Sequence, residues 1–157
     1  RGKAFIIAIN KWDLVKDKDK RTNEIEYELN KSLWHVSHAP VTFISAVTGK
    51  GLDDLWELFK TVGKEYKKRI STAELNRFLE DLRAKHSAPI LGTTPLRLYY
   101  ITQTYTGPPT FAIFTNKERD IPASYQRFIL NGLRAAFGFT GCPIWVKFRK
   151  RKRTVEK

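Results

Sequence analysis

Six apolar residues in a row, Ala4–Ile9 (AFIIAI), stop at the polar Asn10-Lys11-Trp12-Asp13. A run of that length, bounded by polar residues, is the pattern of a strand covered on both faces, as in a parallel sheet between helices. The segments after it keep to the same architecture. Thr22–Val36 carries Ile25, Leu29 and Leu33 at four-residue spacing among charges, which predicts an amphipathic helix. Pro40 ends that region, and Val41–Ser45 reads as a second short buried strand. Gly49 and Gly51 make a turn, and Asp53–Lys68 repeats the helical pattern through Leu55, Leu58, Phe59 and Val62. Asp53 and Asp54 suit the positive start of that helix. Strand, helix, strand, helix with short joins is βαβα, an α/β arrangement. Two strands do not close such a sheet. The chain contains no Met and starts at Arg1, so further strands are expected upstream, in a longer parent.

A different pattern begins after Lys67-Lys68-Arg69. Ser71 and Glu74 fit a capping box, and Leu75, Phe78, Leu79 and Leu82 form the stripe of the helix it would start. Leu96–Thr106 is rich in β-branched and aromatic residues. Gly107-Pro108-Pro109 breaks it, and Thr110–Thr115 resumes, which predicts an antiparallel pair. Pro122 suits a helix first turn, and Tyr125, Phe128, Ile129, Leu133 and Phe137 keep helical spacing up to Gly138. In Pro143–Phe148 the residues Ile144, Val146 and Phe148 alternate as a last strand. The fold expected for 71–157 is therefore α+β in the order αββαβ, following the α/β segment 1–70.

Composition narrows the function classes. With 41% hydrophobic and 13% aromatic residues among 157, the chain can offset its folding entropy and is not a disordered tail. No apolar run approaches the roughly 18 residues of a membrane helix. No secretory leader pattern opens the chain, so a cytoplasmic setting without membrane partners is expected. The single Cys142 excludes a disulfide framework and a cysteine-based zinc site. His35 and His38 sit three apart with no third ligand in sight, which favours ordinary surface or interface histidines. The formal charge is +13, with +4 on residues 1–70 and +9 on the remainder. Lys147, Arg149, Lys150, Arg151, Lys152 and Arg153 place six cations in seven positions, a run suited to phosphates and expected to bind RNA. Tyr99, Tyr100 and Tyr105 can stack bases, although strand aromatics more often serve as core or cross-strand pairs.

The polar tetrapeptide after the first strand has specific chemistry. Guanine shows N1–H and N2–H on one edge, and one carboxylate accepts both; adenine has no such pair. Asp13 is placed to read guanine, with Asn10 holding the loop or touching the ring edge and the Lys11 stem over the base face. Asn-Lys recurs at Asn30-Lys31 and Asn116-Lys117, but only the first pair follows a buried strand and has Asp at the fourth position. The second strand ends in Ser45-Ala46, where a backbone N–H can meet guanine O6. Both loops lie at carboxyl ends of parallel strands, where ligands of open α/β sheets collect.

NKWD and ISAVTGKGL resemble the base-specificity motifs of translation-factor-class P-loop GTPases. RISTAELNRFL, YYITQTYTGPPTFAIF and SYQRFILNGLRAAFGFTGCPIWVKFRKRK resemble the C-terminal end of the tandem-G-domain GTPases called Der or EngA, bacterial proteins of large-subunit ribosome assembly. The resemblance covers nearly the whole chain. It implies that 1–70 is the last third of a second G domain, a partial P-loop GTPase sheet, and that 71–157 is a KH-like domain. It implies a GTP/GDP site at Asn10, Lys11, Asp13, Ser45 and Ala46, with Val47 standing where many GTPases have Lys. It implies rRNA, the large ribosomal subunit and the parent's other G domain as partners. The sequence holds neither GxxxxGK[ST] nor DxxG, so the phosphate cradle and the Mg²⁺ ligands of the parent are expected elsewhere, and hydrolysis is not expected of this piece alone. Gly138-Phe139-Thr140-Gly141 matches the GxxG of RNA-clamping KH domains, but it joins a helix to a strand, and a glycine stop followed by a turn explains it better. The rival expectation is a free-standing RNA-binding or scaffold module with a non-catalytic G-domain remnant.

Overall fold

A computed structural model of the chain describes residues 2–32 and 38–151. Leu33, His35 and Val36, and Lys152 and Arg153 of the basic run, lie outside the described residues. The chain divides into two compact units. Among the described residues one comprises Lys3–Tyr66 with Phe139–Pro143, and the other comprises Gly2, Lys67–Gly138 and the stretch 144–151. The segment Phe139–Pro143, expected in the second domain, is thus built into the first unit.

In the first unit β1 (Ile7–Ile9) pairs in parallel with β2 (Val41–Phe43), with Ile7 opposite Val41 and Ile9 opposite Phe43. A 3-10 turn follows β1 at Trp12–Leu14, and α1 (Lys18–Ser32) leads towards β2. After β2 comes α2 (Leu52–Lys67). The strand-helix-strand-helix order is the one expected, but β1 is shorter than Ala4–Ile9 and is not covered on both faces. Ala8 is exposed, while Ile7 and Ile9 are half-buried. The reason is in the pairing. Among the described residues β1 has only β2 beside it, and at Phe5 the backbone N–H donates to Gly141 O at 2.9 Å instead of continuing that ladder.

Helix α1 begins at Lys18, earlier than Thr22. Asp17 Oδ1 accepts the Lys20 N–H at 3.1 Å and Asp17 O accepts the Arg21 N–H at 3.1 Å, so Asp17 caps the helix. The stripe expected on α2 is only partly covered. Val62 is buried, whereas Phe59 is 55% and Trp56 62% exposed. Two three-residue strands offer too little area to cover a helix of 16 residues.

The second unit holds α3 (Thr72–Lys85), the short antiparallel pair β3 (Ile90–Leu91) and β4 (Thr94–Pro95), the strands β5 (Leu98–Thr106), β6 (Pro109–Thr115) and β7 (Trp145–Lys150), and α4 (Ala123–Phe137). The αββαβ expectation omitted β3 and β4. The sheet order is β5-β6-β7, with β5 antiparallel and β7 parallel to the central β6. Ser71 caps α3 in a complete box: its Oγ accepts the Glu74 N–H at 3.2 Å, and Glu74 Oε2 accepts the Ser71 N–H at 3.1 Å. The core gathers Leu75, Leu79, Ile129 and Leu133 from the helices and Ile101, Phe111 and Ile113 from the sheet, all fully buried. Gly132 lets α4 approach α3, since a Cβ there would stand 3.0 Å from Leu82 Cδ1. Two amides tie backbone that no ladder reaches. Gln103 Oε1 accepts the Ile70 N–H at 2.8 Å while its Nε2 donates to Lys68 O at 2.9 Å. Asn76 exchanges two hydrogen bonds with Ile101 along the β5 edge. Among the described residues no helix is long and apolar enough to cross a membrane.

Candidate functional site

Two loops follow the carboxyl ends of β1 and β2. Ladder bonding continues just past the strands: the Ile44 N–H donates to Ile9 O at 2.8 Å and the Trp12 N–H to Ile44 O at 3.0 Å. Trp12, almost fully buried, packs its ring on Phe43 with centroids 4.2 Å apart, which anchors the first loop from below. Lys11 takes a left-handed backbone, φ 62° and ψ 33°, and this reversal turns Lys11 and Asp13 outward, where both are exposed. The Asp13 carboxylate bonds to no other described residue, so its oxygens remain acceptors for a ligand.

Asn10 does the holding. Its Oδ1 accepts the Lys11 N–H at 2.7 Å and the Ala46 N–H at 3.1 Å, so one amide oxygen joins loops 36 residues apart. The second loop is also braced internally. The Ser45 N–H donates to Lys50 O, and the fully buried Ser45 Oγ accepts the Thr48 N–H at 3.2 Å. Gly49 and Gly51 sit at φ 77° and 78°, where a side chain would be strained. Val47 stands 89% exposed at the tip. The five residues Asn10, Lys11, Asp13, Ser45 and Ala46 are therefore brought together. One detail differs from expectation. The Ala46 N–H is donated to Asn10, so a base oxygen meeting it would share that hydrogen rather than find it free.

The basic run is not a loose tail over its described length. Lys147, Arg149 and Lys150 lie in β7, paired with Ala112, Phe114 and Thr115 of β6, and the Arg151 N–H still donates to Thr115 O at 2.9 Å. Alternation puts Lys147, Arg149 and Arg151 on one side of the strand and Val146, Phe148 and Lys150 on the other. Strand pairing thus gives the cations a direction that composition did not reveal.

Gly138–Gly141 is a helix stop and turn. Gly138 ends α4 at φ 86° with its N–H on Arg134 O, and Phe139 is fully buried with its N–H on Glu65 Oε2 at 2.6 Å. The Gly141 N–H donates to His38 O at 2.7 Å. Backbone donors that a phosphate clamp needs are consumed in packing. The Asn116 of the third Asn-Lys pair is a clip: its Oδ1 accepts the Arg97 N–H at 2.8 Å and its Nδ2 donates to Pro95 O at 2.9 Å. Among the described residues no three His, Cys, Asp or Glu side chains form a metal-holding group.

Residues 69–149 match the family described as the KH-domain-like C-terminal domain of EngA bacterial GTPase enzymes. The chain is 40% identical over 151 residues to "GTPase Der" of Ligilactobacillus salivarius, covering 96% of this chain and 35% of the relative. It is 40% identical over 154 residues to "GTPase Der" of Natranaerobius thermophilus, covering 98% and 35%. It is 36% identical over 152 residues to "GTPase Der" of Geobacter metallireducens, covering 97% and 35%. The chain therefore spans about a third of the length of these curated relatives.

Proposed function

The chain belongs to the EngA family of bacterial GTPases, and from that membership we propose that it is the guanine-reading end of a G domain joined to an RNA-facing KH-like domain, in a protein that uses its GTP or GDP state to govern binding to the large ribosomal subunit. The observation that carries the first part is the Asn10–Ala46 hydrogen bond, which clamps the two loops together and leaves the Asp13 carboxylate exposed beside them. That carboxylate fits the N1–H and N2–H pair of guanine, and the Lys11 stem fits the face of the base. Phosphates and Mg²⁺ of the nucleotide are to be held by parts of the parent that carry the phosphate loop. The cations of β7 and the +9 charge of residues 71–157 support RNA as the partner of the second part.

Co-sedimentation of the full-length protein with large ribosomal subunits tests this reading. Pelleting is expected to depend on GTP. In Asp13→Asn that dependence transfers to xanthosine triphosphate, whose 2-oxo group accepts from the new amide. Pelleting indifferent to nucleotide in both proteins contradicts the proposal.

A further inference from the structure

On the side of the β5-β6-β7 sheet opposite its core, the flanking strands β5 and β7 expose aromatic and basic side chains, while the central β6 is covered. Ile101, Ile113 and Phe148 face the core in one cross-strand row, so their neighbours along each strand face out. Three outward rows run across the sheet: Tyr100, Phe114 and Arg149; Thr102, Ala112 and Lys147; Tyr105, Thr110 and Trp145. Tyr100 and Phe114 stack with ring centroids 4.2 Å apart and planes 11° off parallel. Tyr105 is 60% and Trp145 45% exposed. The small Ala112 and Thr110 of the central strand are buried beneath their longer cross-strand neighbours. Beside it runs the outward cation series of β7, Lys147 and Arg149, continued by Arg151, whose guanidinium lies 5.3 Å from the Tyr99 ring centre. The three strands contain no Asp or Glu; Glu118, outside them, reaches Arg149 only at 4.0 Å.

We infer that the exposed aromatics of this sheet face are a stacking site for unpaired RNA bases, with the β7 cations tracking the phosphates. The inference rests on the proposed RNA-facing role of this domain and assigns that role a surface. Flat aromatic groups accept the face of any base, and a cation row favours a polyanion. Cations on one strand repeat about every 6.6 Å along it; Tyr100, Tyr105 and Phe114 lie beside them on β5 and β6, and Trp145 precedes them on β7. Bases and backbone of a single strand are thereby offered separate tracks. A duplex hides its base faces and is offered only the cations. An acidic protein surface is a weaker match, because it has no use for the ring faces.

The test is fluorescence polarisation of a labelled oligouridine with the 157-residue chain at fixed salt, against a labelled RNA duplex of equal length. Circular dichroism serves as the folding check. Tyr105→Ala and Trp145→Ala, both at exposed positions, are each expected to weaken oligouridine binding about tenfold. Neither should change the binding of the duplex, and Trp145→Phe should recover most of the loss. Folded alanine variants that bind oligouridine as tightly as the parent chain overturn the stacking site, while the RNA-facing role stands. Failure of the unsubstituted chain to bind either RNA overturns both.

Discussion

Asn10 and Ala46 are joined by one hydrogen bond, Ala46 N–H to Asn10 Oδ1 at 3.1 Å, and that bond makes one site of two loops on neighbouring strands. The same oxygen also fixes the turn at Lys11. Asn10→Ala removes both acceptances at once. Guanine-nucleotide binding by the full-length protein is expected to weaken by about 1.5 kcal/mol, as for the loss of hydrogen bonds that position a site. Amide hydrogen exchange should rise at Lys11 and Ala46. Unchanged exchange at Ala46 contradicts the link.

Gly51 supports that loop from the other side. At φ 78° an added Cβ falls inside the contact radius of Phe43 O, so backbone must move. Gly51→Ala is expected to cost about 1–3 kcal/mol of stability, and to disturb the Ser45 N–H to Lys50 O bond. Gly49, with open space around its Cβ position, should lose less on the same change. Thermal melts of the two variants rank them.

The cap of α3 makes a pH prediction. Hydrogen bonds from the Ser71 hydroxyl, then from the Ser71 backbone, hold the Glu74 carboxyl below its usual range. A depressed folded value means the contribution is present above the unfolded value of about 4.3, and is lost as pH falls through the folded value. Glu74→Gln should therefore be less stable than the parent chain at neutral pH, with the gap closing in acid. Ser71→Ala should cost about 1 kcal/mol. Melts across a pH series check both, and a gap that persists in acid argues against the cap.

Tyr125 is buried at the start of α4, and its hydroxyl has no hydrogen-bond partner among the described residues. Burial pushes its pKa up, partly opposed by the Arg83 charge. Its contribution is then present below the unfolded value of about 10 and lost as pH rises through the raised folded value. Tyr125→Phe removes an unpaired polar group and should raise stability by roughly 1 kcal/mol. It should also remove this residue's share of the alkaline decline. A destabilised phenylalanine variant at neutral pH would falsify this reading of the hydroxyl.

What could be read in the residues was mostly local. The NKWD turn, the capping box at Ser71 and Glu74 and the glycines at 49 and 51 depend on neighbours a few residues away, and each stands where its pattern put it. What escaped depends on distant partners. The length of β1 is set by Gly141, which takes the Phe5 N–H. Phe59 fits a helical stripe, but the unit offers nothing broad enough to cover it. The last strand, expected over Pro143–Phe148, runs from Trp145 to Lys150, because Arg149 and Lys150 still pair with Phe114 and Thr115; their charge hid that continuation. The burial of Phe139 in the first unit had no local signal, and Asp17 was a cap signal that a search for apolar spacing passes over.

Nucleotide choice at Asp13 tests the central claim most directly. Guanosine and xanthosine diphosphate are titrated into the full-length protein and its Asp13→Asn variant by calorimetry. Once the base covers it, the carboxylate forms a desolvated charged pair of hydrogen bonds, so the variant should lose about 2–5 kcal/mol for guanosine diphosphate at this site. It should also gain a xanthosine diphosphate site that the parent protein lacks, an outcome independent of any other nucleotide site in the molecule. Weaker guanosine diphosphate binding with no xanthosine diphosphate site gained, or guanosine diphosphate binding left unchanged, would contradict the assignment of guanine reading to Asp13.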